Sequence, residues 1–185
     1  MKVDSPRLRK KVAREAASLL YSGVEKEYKQ AKLKASKIFG VHFLPTNFEV
    51  SIELDKIAEE NEGSSRQERL ILMRKEALKL MQILNSYKPL LIGSVWRGTI
   101  RRDSDIDIVV YHDAPEDILK ILKQNNLKIM QTEWMSVTKK GKRKGSFHVY
   151  AELLTKEKVE IKIAQDSETF KKEKCEIYGD EIAGL

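Results

Sequence analysis

Cysteine is nearly absent from this sequence: Cys175 stands alone among 185 residues. A single thiol excludes a disulfide framework and leaves no Cys/His set at the spacing that structural zinc requires. Long apolar runs are missing too. None approaches the ~20 residues needed to span a bilayer, and the N-terminus has neither the apolar stretch nor the small-residue cleavage site of a secretory signal. The expectation is a soluble cytoplasmic protein with no membrane partner. Asn and Gln are sparse while Lys and Glu number 25 and 19, a thermophile-like bias. No internal repeat and no low-complexity linker interrupts the chain.

What is present is charge and helical periodicity. The 35 basic and 28 acidic residues leave +7, divided as +5 over residues 1–87 and +2 over residues 88–185. Attraction for polyanions is therefore local rather than global. A chain of this length makes one globular domain or two small ones and buries roughly 70% of its unfolded surface.

Residues 1–87 read as helix. Ser5-Pro6 is a helix start, followed by Leu8, Val12, Ala16, Leu19 and Leu20 at helical spacing as far as Ser22-Gly23. Val24, Tyr28, Ala31, Ala35 and Ile38 form a second stripe, which Gly40 is placed to end in a left-handed conformation. Thr46 can cap a third helix carrying Val50, Leu54, Ile57 and Ala58 to about Asn61, with a turn at Glu62 to Ser64. Ser65-Arg66-Gln67-Glu68 fits a capping box opening the longest helix, which Pro89 stops.

Beyond Pro89 the hydropathy period changes to two. Strands are expected at Leu90 to Ile92, Asp105 to Tyr111, Leu127 to Val137, Phe147 to Leu154 and Lys158 to Ala164, with a helix over Pro115 to Asn125. The fold class is α+β: a helical region at 1–87 packed on a small mixed-sheet core at 88–185.

The stretch LIGSVWRGTIRRDSDIDIVVY, Leu91 to Tyr111, carries the chemistry. At Gly93 the missing Cβ allows close approach to the backbone, and Ser94 adds a hydroxyl and an N–H, which suits a phosphate. Strand alternation puts Asp105 and Asp107 on one face and Ile106 and Ile108 in the core. Two neighbouring carboxylates on a buried strand repel unless a cation neutralises them. Mg²⁺ fits, because it binds one or two carboxylates together with waters and substrate phosphates, and a two-metal site wants one more acid. Val159-Glu160-Ile161-Lys162-Ile163 has the same alternation, so Glu160 is the preferred third acid and Glu152 the competitor.

The spacing Gly93-Ser94, Arg97-Gly98-Thr99 and Ser104-Asp105-Ile106-Asp107 resembles the signature of the DNA polymerase β-like nucleotidyltransferase superfamily. The Arg-Gly-Thr step, and Phe147-His148-Val149-Tyr150 ahead of Glu160, are similar to the archaeal CCA-adding enzymes. The resemblance implies a minimal nucleotidyltransferase core that moves a nucleoside monophosphate from an NTP to an acceptor hydroxyl and releases pyrophosphate, with two Mg²⁺ or Mn²⁺ ions. Residue by residue, it implies metal at Asp105, Asp107 and Glu160, and nucleotide at Gly93, Ser94 and Arg97; Thr99, Ser104 and Lys162 are further nucleotide candidates. The third acid is usually Asp, so Glu160 departs from the pattern by one methylene. The 25 residues after Glu160 are too few for the further domains of a complete CCA-adding enzyme.

The acceptor stays open among an RNA 3′ end, a protein and a small molecule. Lys139, Lys140, Lys142, Arg143 and Lys144 crowd one turn and, with Arg101 and Arg102, are candidates for RNA or phosphate contacts; a solvated hairpin tip is the alternative. Lys162 can pair with an acid instead of a phosphate, and His148 and Tyr150 can line the nucleotide pocket or belong to the core. The other functional class is a non-catalytic RNA- or nucleotide-binding, or partner-docking, module that retains the fold. A homodimer, and a partner subunit docked on the helical half that completes substrate recognition, are the candidate assemblies.

Overall fold

The computed structural model describes residues 5–139, 142–166, 175, 177 and 178 of the chain. It divides into two compact units, Met1–Arg66 with Lys174–Glu181 and Gln67–Glu173 with Ile182–Leu185.

The first unit is helical. In α1, Pro6–Tyr21, the Ser5 hydroxyl accepts from the Leu8 N–H at 3.3 Å, and Val12, Ala13, Ala16, Ala17 and Leu20 face the core. α2 spans Tyr28–Phe39 and ends at Gly40 with φ 62°. It begins later than the apolar stripe suggests. Gly23 takes φ 75° and Val24 is 57% exposed, so Val24 lies outside the helix, and Ala31 and Ala35 carry the buried face. α3, Asn47–Ile83, opens with reciprocal bonds: the Glu49 N–H donates to Thr46 Oγ1 at 3.1 Å and the Thr46 N–H to Glu49 Oε2 at 2.6 Å. That is a capping box. The box expected at Ser65 does not form, because Ser65 already lies inside α3 rather than at a helix start, where its hydroxyl donates to the Glu62 carbonyl at 2.6 Å. The break in α3 is Gly63 instead, with φ 57° and ψ −140°. Arg66 is buried and bonds Asp55 and Glu59 on the preceding turns.

The second unit holds the rest of α3, a 3-10 turn at Asn85–Tyr87, β1 (Leu90–Ile92), α4 (Gly93–Arg97), β2 (Ile106–Tyr111), α5 (Pro115–Gln124), β3 (Lys128–Lys139), β4 (Lys142–Glu152) and β5 (Lys158–Ala164). The sheet order is β1-β2-β5-β4-β3. Only β2 and β5 run parallel, and every other neighbouring pair is antiparallel. The fold is α+β with a mixed sheet. Leu70, Met73, Ala77 and Leu80 of α3, with Leu84 just after it, pack with Ile106, Ile108, Val110, Val159, Ile161 and Ile163 in one core. This is why the unit boundary falls at Gln67, ahead of the change of period at Pro89: the apolar stripe after Gly63 belongs to the sheet's core. With that face of the sheet buried, the alternate residues of β2 and β5 are left for the site.

Candidate active site

Asp105 immediately precedes β2 and Asp107 lies within it. The parallel register sets Asp107 opposite Glu160, and the antiparallel register sets Ile92, the residue before Gly93, opposite Asp107 on its other side. Cross-strand neighbours share a face. Asp105, Asp107 and Glu160 each place a carboxylate oxygen within 4.8 Å of the others. Glu152 is not in this group, and its carboxylate meets Lys156 at 3.2 Å and Lys128 at 3.7 Å.

This proximity has an electrostatic cost. Burial, followed by the charges of Asp105 and Glu160, pushes the Asp107 carboxyl from 3.8 to about 7. Asp105 is also raised, by burial first and then by Glu160 and Asp103, against the opposing pull of its own backbone N–H and Lys158. A cluster of hard oxygen donors in which burial and neighbouring charges raise the Asp105 and Asp107 carboxyls is what a divalent cation relieves, so the donor set fits Mg²⁺ or Mn²⁺.

Gly93 is required by contact. Its φ is 73°, and a Cβ at this position would lie 2.2 Å from Asp107 Oδ2. Ser94 follows on the short α4, where its carbonyl accepts from the Gly98 and Thr99 N–H groups at 2.8 and 3.0 Å. Arg97 ends α4, and Gly98 after it takes φ 81°. Arg97 and Thr99 are half-buried. Ser104 Oγ accepts from the Arg101 N–H at 3.0 Å, so this hydroxyl holds the turn before Asp105. Lys162 is half-buried on β5, with Val109 and His148 as its register partners.

Arg101 pairs with Asp103 at 2.9 Å, and Arg102 is exposed. In the basic hairpin the backbone register pairs Lys139 with Lys142, Thr138 with Arg143 and Val137 with Lys144. Lys140 lies outside the described residues.

Two arginines of α3 that carry no sequence signal hold the site's segments. Arg69 donates to both oxygens of Glu157, at 2.9 and 2.7 Å, and to the carbonyls of Arg101 and Ser104 at 2.9 Å each. It thereby ties the loop entering Asp105 to the turn entering β5. Arg74 donates to the carbonyls of Val95 and Trp96 at 3.1 and 3.0 Å, anchoring the end of α4. On β4, His148 Nδ1 lies 2.5 Å from Glu160 Oε1. Tyr150 donates to Glu133 Oε1 at 2.9 Å, and burial together with Glu133 and Glu160 raises its hydroxyl pKa.

The Gly-Ser step thus lies beside paired aspartates, with a third acid on the parallel neighbour strand. The model of the nucleotidyltransferase domain matches residues 73–177, more than half of the chain, and the chain belongs to that family. No curated protein matches it in sequence. Among solved structures, a cytoplasmic RNA terminal U-transferase is similar at 18% identity and TM-score 0.35, over 60% of this chain and 35% of that one. The Cid1 poly(U) polymerase is similar at 15% identity and TM-score 0.35, over 59% and 35%. A GLD-2/RNP-8 complex is similar at 13% identity and TM-score 0.30, over 57% and 42%. The chain thus spans well under half the length of each. Among the described residues no helix is long and apolar enough to cross a membrane.

Proposed function

We propose that the protein transfers a nucleoside monophosphate from an NTP to an acceptor hydroxyl by two-metal catalysis. The observation that carries this reading is the cluster of Asp105, Asp107 and Glu160 beside Gly93-Ser94. In the reaction the acceptor oxygen bonds to the α-phosphorus, the bond from that phosphorus to the β-phosphate oxygen breaks, and pyrophosphate leaves while the acceptor gives up its proton. Asp105, Asp107 and Glu160 hold two Mg²⁺ or Mn²⁺ ions, which when bound supply neutralisation of the phosphates and a more acidic acceptor hydroxyl. The backbone at Gly93 and Ser94 cradles phosphate, Arg97 and Lys162 supply positive charge to it, and Thr99 and Ser104 shape the loop around it. The Lys139 to Lys144 run favours an RNA acceptor through sequence-independent phosphate contacts.

A binding module without catalysis would gain from losing the acids, since their mutual repulsion weakens the fold and repels a polyanion. Their joint presence supports the enzyme. Calorimetry tests this. NTP binding by the wild-type chain should require Mg²⁺ or Mn²⁺, and the Asp105→Asn/Asp107→Asn variant should lose that requirement together with most of the affinity; equal metal-independent binding by both would favour the binding module.

A further inference from the structure

We infer that His148, backed by Ser146, is the positioning residue that holds the Glu160 carboxylate in place for the divalent cation. This rests on the metal-dependent reading proposed above. The register sets Tyr150 opposite Glu160 and His148 opposite Lys162, so His148 approaches Glu160 diagonally on the same face of the sheet. Its side chain is buried, at 8% residue exposure, and both ring nitrogens are engaged by side chains. Nδ1 lies 2.5 Å from Glu160 Oε1 and Nε2 lies 2.7 Å from Ser146 Oγ. An ionised carboxylate only accepts, so Nδ1 carries the hydrogen and donates it, and in the neutral ring Nε2 accepts from the serine hydroxyl.

The arrangement answers the departure noted in the sequence. Glutamate has one more rotatable bond than the aspartate usual at this place, and an untethered carboxylate would spread over several rotamers. The histidine fixes one end of it, while a carboxylate oxygen of Glu160 stays within 4.8 Å of one from each aspartate. A histidine serving only the core would satisfy its nitrogens on nearby backbone. This one spends them on a member of the acid cluster and on a hydroxyl that orients the ring.

The test is Mn²⁺ titration of the full chain without nucleotide, with free Mn²⁺ read by electron paramagnetic resonance and folding checked by melting. His148→Leu should weaken Mn²⁺ binding by about 10–100-fold, the usual effect of removing a group that orients a metal ligand. His148→Asn, whose amide nitrogen takes the place of Nδ1, should restore most of it. In a Glu160→Asp background the shortened carboxylate is out of the ring's reach, so His148→Leu should add less than about a twofold loss. His148→Leu binding as tightly as wild type, or His148→Asn no better than His148→Leu, would overturn the inference and leave the metal reading standing. A wild-type chain that binds no Mn²⁺ would overturn both. One readout needs no variant: ¹⁵N-edited NMR of the imidazole should place the proton on Nδ1 and show its resonance moving as Mg²⁺ is added, and a resonance unmoved at saturating Mg²⁺ would also overturn it.

Discussion

Replacing Asp107 by Asn should stabilise the metal-free protein while disabling its site. The Asp107 carboxyl rises from 3.8 to about 7 because it is buried beside Asp105 and Glu160. A carboxyl whose folded pKa exceeds its unfolded value costs no stability below the unfolded value. The cost grows as pH rises between the two and is constant above the folded one. At 1.36 kcal/mol per unit it reaches about 4 kcal/mol at pH 8.5 and about 2 kcal/mol at pH 5, and vanishes near pH 3.5. Asparagine has nearly the same shape and no charge, so it escapes this cost. Urea denaturation in EDTA, followed by circular dichroism at pH 3.5, 5 and 8.5, should therefore show a gap in favour of Asp107→Asn that opens with pH. Adding Mg²⁺ should raise the wild type alone and narrow the gap. A gap independent of pH, or a wild type more stable than the variant at pH 8.5, would refute the reasoning.

Other substitutions separate the site from its supports. Gly93→Ala places a Cβ 2.2 Å from Asp107 Oδ2 at φ 73°, so Mn²⁺ affinity should fall at least about tenfold, with about 1–2 kcal/mol lost to the left-handed backbone; wild-type affinity in a titration would contradict this. Arg69→Met leaves Glu157 and two loop carbonyls without their donor and should cost about 3 kcal/mol in urea denaturation, with weaker metal binding at pH 7. Thr46→Ala removes one half of the α3 capping box and should cost about 1 kcal/mol of stability without changing Mn²⁺ affinity, both read on the same protein sample.

Strand alternation made much of this architecture readable. In Ile106-Asp107-Ile108 and Val159-Glu160-Ile161 the apolar residues line the core and the acids share the opposite face, because side chains alternate with a period of two whatever the partner strand. α4 was not legible: five residues between a strand and a loop are too few to show a helical period. Nor was the role of Arg69 or Arg74, since nothing in a helix surface arginine reveals which distant carbonyls it will reach. Ser65 and Thr46 carry the same Ser/Thr-x-x-Glu pattern, yet only Thr46 follows a proline-ended connector and so begins a helix; Ser65 lies inside one that Gly63 merely kinks. His148 was ambiguous between core and pocket because its meaning depends on the diagonal across β4 and β5, a relation absent from the order of residues.

The most direct test of nucleotidyl transfer is incubation of the purified chain with each α-labelled NTP and Mg²⁺ or Mn²⁺, with and without total RNA, beside the Asp105→Asn/Asp107→Asn variant. Label on RNA or on protein with the wild type alone is the predicted result, and it would reveal the acceptor class as well as the nucleotide. Label retained by the variant, or no transfer and no metal-dependent NTP binding by the wild type, would contradict the account.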